Sequence, residues 1–224
     1  MSAATKSAIS SFLGLIGFAL LIFVPAGTIR YWQGWVFLGI FTVVSTVPAV
    51  ILNRVDPAAI ERRRKAGPRA ETRRVQKVVM TAITASFAAV LVLSGLDYRF
   101  GWSRVPTAVS IAGDVMVAVG LGASLLVVFQ NRYAAATITV EDGQPVVRTG
   151  LYRVVRHPMY AVSIVMMIGM PLALGSYWAL LIVVAGVALL IVRILDEEAM
   201  LREQLPGYQD YLRQVRYRLV PGVW

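Results

Sequence analysis

The chain contains no cysteine and one histidine, His157. Without cysteine there are no disulfides, no thiolate metal sites and no cysteine nucleophile. A lone histidine argues against an imidazole zinc centre, which normally takes three protein ligands, so no metal is expected. Charge is scarce as well: Asp, Glu, Lys and Arg make up 15% of the 224 residues, against about 25% in soluble domains. No repeat of the solenoid kind and no low-complexity tail is present. The basic residues do not form an aromatic-interleaved module of the nucleic-acid type, so no nucleic-acid partner is expected.

What is abundant is apolar surface. Hydrophobic residues account for 58% of the chain, and the mean hydropathy is +0.68. Six apolar stretches stand out, at 8–25, 34–53, 78–96, 107–129, 158–174 and 178–195. A bilayer core of about 30 Å needs roughly 20 helical residues, so an all-α integral membrane protein with about six transmembrane helices is predicted. The last two stretches are short and separated only by Gly175-Ser176-Tyr177-Trp178. They read as a tight hairpin, 158–195, and five full spans plus one shorter helix would equally suit them. The first stretch has a weak charged flank (Lys6) and a long apolar run from Ile9 to Ala26, which favours an uncleaved helix over a signal peptide.

The net charge of +10 is concentrated in particular loops. Residues 54–77 carry nine cations: Arg54, Arg62, Arg63, Arg64, Lys65, Arg69, Arg73, Arg74 and Lys77. The 26–33 loop carries one and the 97–106 loop two, while the 130–156 connection and the tail after residue 200 carry four each. This alternation predicts six crossings with both termini cytoplasmic, and the excess cations are expected to meet anionic lipid. The basic loop reads as a short helix from Ala58 to Lys65, broken at Gly67-Pro68, followed by a helix beginning at Glu71. Glu71, Arg74, Gln76 and Lys77 suit a solvated surface turn lying on the headgroups.

The texture changes at Gln130, dividing the chain into 1–129, helices with the basic loop, and 130–224. Residues 137–148 read as two short extended pieces around an Asp142-Gly143 turn. Glu197 to Leu205 continues the sixth span as a cytoplasmic amphipathic helix ended by Pro206-Gly207. A short helix from Tyr208 to about Val215 then leads to a tail whose Trp224 reads as an interfacial anchor.

Polar residues gather at both ends of the hairpin. Pro158 suits the first turn of a helix, where its missing N–H costs nothing, and that makes His157 the cap. Arg193 and Glu197 are four apart and share a face of the returning helix, with Glu198 about 100° round. Antiparallel packing brings 157–160 level with 193–198. Taken singly these residues are a cap, a topology anchor and interfacial aromatics. Occurring together, they outline a pocket. Asp114 stands apart as an intramembrane carboxylate, a functional candidate by default.

The run Gly150-Leu151-Tyr152-Arg153-Val154-Val155-Arg156-His157-Pro158-Met159-Tyr160, the Leu174-Gly175-Ser176 turn, Arg193 to Leu201, and Tyr208 with Tyr211 resemble the isoprenylcysteine carboxyl methyltransferase family. The likeness is to its prokaryotic branch and to the related phospholipid methyltransferases, and covers about residues 130–224. It implies a helical membrane enzyme using S-adenosylmethionine, in the cytoplasmic membrane of a bacterium, with a lipophilic small-molecule acceptor entering from the bilayer. It implies cofactor contacts from Tyr152, Val154, Val155, His157, Tyr160, Arg193, Glu197, Glu198, Tyr208 and Tyr211, and catalytic roles for Glu197 and for Arg216, which closes over the site from the tail. Carboxylate, amine and thiol acceptors all remain open. The competing readings are a membrane reductase using NADPH, resembling sterol reductases, and a non-catalytic transporter or assembly protein. The transporter reading requires polar groups at mid-membrane, and only Asp114 supplies one.

Overall fold

A computed structural model describes residues 3–64, 67–134, 137–141 and 143–224. Two residues of the expected elements, Lys65 at the end of the short loop helix and Asp142 of the expected turn, lie outside the described residues. The described residues form eight α-helices: α1 (Ala3–Ala26), α2 (Trp32–Val55), α3 (Pro57–Arg64), α4 (Arg74–Phe100), α5 (Thr107–Gln130), α6 (Pro158–Ala173), α7 (Leu180–Gln204) and α8 (Tyr208–Gln214). No strand occurs among the described residues, and this is an all-helical membrane protein. Each expected apolar stretch falls on a helix. Three of these, α2, α4 and α5, are long and apolar enough to cross a bilayer, whereas the apolar part of α1 (Phe12–Ala26) and the whole of α6 are shorter. Valines such as Val43, Val47, Val78, Val115 and Val184 face outward and exposed. That is the inverse of a soluble protein and suits a hydrocarbon surround.

With no hydrophobic force between helices in lipid, association relies on close backbone approach at small residues. A Cβ on Gly113 of α5 would run into the backbone of Ala173 and Gly169 on α6, and one on Gly120 would lie 2.8 Å from Met166 Cβ. Gly169 returns the favour from α6, 2.8 Å from the Gly113 carbonyl. The same device joins α1 to α4, where a Cβ on Gly95 would sit 2.5 Å from the Ile22 carbonyl oxygen. Consequently α6 packs chiefly on α5, and α7 on α4. The expected tight hairpin is therefore close only at its turn. Below it the two helices separate, and a cavity opens between them.

The turn is locked from below. Asp97, 1% exposed, accepts bonds from Ser103 N (2.6 Å), Ser103 Oγ (2.7 Å) and Ser176 Oγ (2.5 Å). Tyr31 stacks on Tyr98 and its hydroxyl donates to the Leu174 carbonyl. Gly175, at φ +68°, makes the reversal between α6 and α7, a conformation that costs other residues strain.

Two loop expectations need correction. The helix expected from Glu71 begins at Arg74, and Glu71 and Gln76 are buried rather than solvated. Residues 137–148 form no strand among those described, and Glu141 and Gln144 close a turn instead. The Trp224 carbonyl accepts from the N–H groups of Arg218, Leu219 and Val220, and its ring lies under the Arg218 guanidinium.

Candidate functional site

His157 is the cap residue of α6, yet its side chain makes no capping bond. Its ring turns to α7 instead. Nε2 lies 3.3 Å from Glu198 Oε1, and Nδ1 lies 4.0 Å from Glu197 Oε2. Three residues on, the Tyr160 hydroxyl donates to Glu197 Oε2 at 2.6 Å and accepts from Arg193 Nε at 3.0 Å. The first turn of α6 and the polar end of α7 thus meet as the sequence pattern predicts.

The two adjacent glutamates do different work. Glu198, 2% exposed, is surrounded by Arg156 at 3.1 Å, Arg218 at 3.0 Å, the His157 ring at 3.3 Å and Arg202 at 3.6 Å. Burial pushes its carboxyl upward, but the hydrogen bonds from His157 and Arg218 and the charges of His157 and Arg156 outweigh that and hold it below the ordinary value. Glu198 faces the tail, outside the cavity wall. Glu197 lines the cavity itself.

The tail is attached through the same residues. The N–H groups of Arg156 and His157 donate to the carbonyls of Tyr217 and Arg218, both at 2.9 Å. That register sets Arg218 against Glu198. Arg216, the expected catalytic arginine, is exposed and does not line the cavity, so the arginine that reaches into this cluster from the tail is Arg218. Val154 is exposed and Val155 buried, and neither lines the cavity. Tyr152, His157, Tyr160, Arg193, Glu197, Tyr208 and Tyr211 all do.

A second shell comes from the segment expected to lie on headgroups. Arg193 reaches Gln76 Oε1 at 2.8 Å and Glu71 Oε1 at 2.9 Å. Gln76 and Arg73 both bond Asp196 at 2.5 Å. Buried charges persist only when paired, and this network fixes Arg193 and hence Tyr160. Nothing local in the sequence marks Glu71 or Gln76 for it, because Arg193 and Asp196 lie more than a hundred residues away.

Tyrosines form the remaining polar wall. Tyr211 donates to the Tyr152 carbonyl at 2.7 Å, and its ring lies 5.7 Å from that of Tyr208. The Tyr208 hydroxyl is buried without a partner among the described residues. Burial is the main reason the Tyr152 phenol is pushed up to about 12; it pushes those of Tyr208 and Tyr211 higher still. All three are neutral donors at physiological pH.

The cavity has a volume of about 340 Å³. Its inner end is apolar, walled by Phe87 and Val90 of α4, Met166, Met167 and Met170 of α6, and Val183, Gly186 and Leu190 of α7. Residues of the 131–147 connection cover it, held to α3 by Arg62 on Glu141 (2.7 Å) and by Arg63 Nη1 on the Ala134 carbonyl (3.1 Å). Burial lowers the Arg63 guanidinium below its ordinary value.

Residues 108–206 match the family model of phospholipid methyltransferases. The match indicates a membrane methyltransferase. No curated protein matches the chain. The matched region runs from the start of α5 past the end of α7, so it contains His157, Tyr160, Arg193, Glu197 and Glu198. The family of that model is of the same superfamily as the isoprenylcysteine carboxyl methyltransferases. α3, Glu71, Gln76 and the C-terminal tail fall outside it, although all of them touch the site.

Proposed function

We propose that this protein transfers a methyl group from S-adenosylmethionine to an amphiphile entering from the bilayer, with the cavity mouth facing the cytoplasm. The observation that carries this reading is a single cavity that is polar at its mouth and apolar within. Such a space suits a water-soluble cofactor meeting a lipid-soluble acceptor. The donor set fits that cofactor: a carboxylate for an ammonium, three neutral phenols around a nucleoside, and one buried hydroxyl, that of Tyr208, without a partner among the described residues.

When bound, S-adenosylmethionine supplies a methyl already activated on sulfonium, so transfer is an in-line displacement. The protein's own task is positioning and exclusion of water. Glu197, oriented by Tyr160, takes the ammonium of the methionine part. Tyr152, Tyr208 and Tyr211 enclose the nucleoside. Glu198 holds His157 in place and, through Arg218, the tail that closes the mouth. An ionised carboxylate acceptor needs no base. For an amine or thiol, Glu197 and His157 are the groups at the mouth able to receive the proton.

The test is titration calorimetry of the purified full-length protein with S-adenosylhomocysteine. Binding is expected, and Glu197→Gln should weaken it by roughly tenfold or more, the worth of a charge-assisted bond. Absence of binding, together with thermal protection by NADPH, would replace this reading with the reductase one.

A further inference from the structure

Arg63 differs from the other arginines around the cavity. Arg62 pairs with Glu141, Arg73 with Asp196, Arg132 with Asp56, Arg193 with Glu71, and Arg156 and Arg218 with Glu198. Arg63, half-buried, lines the cavity with Asn131, Tyr133 and Tyr152, and among the described residues its one hydrogen bond runs from Nη1 to the Ala134 carbonyl. No carboxylate among the described residues answers it. Its place is fixed rather than incidental. α3 begins with Asp56 Oδ1 accepting from Ala59 N at 3.0 Å, and Ala59 is buried in a cluster with Leu52 and Val128, with Met159 packed against it. Arg63 is one turn further along that face.

A guanidinium held in a partly dry wall without a counter-ion is costly unless a ligand brings the anion. We propose that Arg63 binds an acidic group, phosphate or carboxylate, at the polar end of the methyl acceptor. The proposal rests on the methyltransferase reading, because it names the second ligand of the same cavity. The cofactor's own carboxylate is the competing source. An amino acid carries its ammonium and carboxylate on one carbon, so the groups that grip them must be close neighbours. Arg63 stands on α3 and bonds the Ala134 carbonyl, whereas Glu197 stands on α7 and bonds Tyr160. An arginine on a separate element with different neighbours is assigned to a second molecule, and the parallel titration with S-adenosylhomocysteine separates the two sources. The acceptor is thereby an acidic amphiphile whose apolar part lies along α4, α6 and α7.

The experiment compares octyl phosphate, octanoate and octanol as ligands for the full-length protein in nanodiscs of zwitterionic lipid, with S-adenosylhomocysteine titrated in parallel. The wild type should bind the two acids about tenfold or more tighter than the alcohol, the worth of a charge-assisted hydrogen bond. Arg63→Gln should abolish that preference and leave S-adenosylhomocysteine affinity unchanged, while Arg63→Lys should keep part of it. Equal binding of acid and alcohol by the wild type, or a preference that survives in Arg63→Gln, overturns the proposal. So does a loss confined to S-adenosylhomocysteine, which assigns Arg63 to the cofactor. If the wild type prefers acids but binds no S-adenosylhomocysteine, the anion site stands and the methyltransferase reading falls.

Discussion

Glu197 and Glu198 are neighbours in sequence, yet one faces a ligand space and the other faces three arginines and His157. Their substitutions should separate cleanly. Glu197→Gln removes a charge from the cavity wall and leaves the tail attached, so cofactor affinity falls while the melting temperature stays near that of the wild type. Glu198→Ala strands Arg156, His157 and Arg218 beside one another, and breaking a buried pair in this way costs about 3–5 kcal/mol. A pronounced drop in melting temperature is expected, with cofactor binding lost as a consequence. The pH dependence has a definite sign. Glu198 is held below the ordinary carboxylate value, so its contribution to stability is full above about 4.3, the unfolded value, and is lost as the pH falls through the lower folded value. Melting temperature plotted against pH should show this acid step in the wild type and lack it in Glu198→Gln.

Individual helices were legible because each apolar run is long, and Pro158 marks the start of α6 to the residue. Their pairing was not. Gly113, Gly120 and Gly169 are unremarkable letters inside apolar runs, and only the three-dimensional arrangement shows two backbones meeting there. The same limit applies to the site. His157, Tyr160 and the two glutamates could be read because the turn at Gly175 folds α7 back along α6, bringing the start of one level with the polar part of the other. Glu71 and Gln76 could not, since a charged loop beside a membrane has a simpler explanation than a buried network. Nor does anything in the tail's sequence distinguish Arg216 from Arg218; the register of Tyr217 and Arg218 against Arg156 and His157 decides it. The α5–α6 seam yields a test at this scale. Gly113→Ala places a methyl against the α6 backbone, which cannot yield as a flexible side chain would, so destabilisation of about 1–3 kcal/mol is expected. Gly122→Ala, on the same helix with nothing within 4 Å of the added carbon, is the control and should be neutral or slightly stabilising. Thermal unfolding in detergent reads both.

On the scale of the whole molecule, the divergence of α6 from α7 creates the apolar chamber, and its depth should set the length of the acceptor. Each methylene buried contributes about 0.8 kcal/mol, close to fourfold in affinity. A series of alkyl phosphates of increasing chain length should therefore gain affinity steadily and then level off once the chain fills the space between Phe87, Met170 and Val183. Gly186 sits in that wall, two helical turns (about 10 Å) before Arg193. A Cβ there would come within 2.6 Å of Met167 Cε, the mobile end of a flexible side chain. Gly186→Leu can thus be accommodated by displacing Met167 into the chamber, filling it twice over without straining the helix. The plateau should arrive several methylenes earlier in this variant, while short-chain affinity and S-adenosylhomocysteine binding match the wild type. An unchanged plateau would mean that the acceptor's apolar part lies elsewhere, along the lipid-facing side of the helices, and that the chamber serves only to let α6 and α7 part at the mouth.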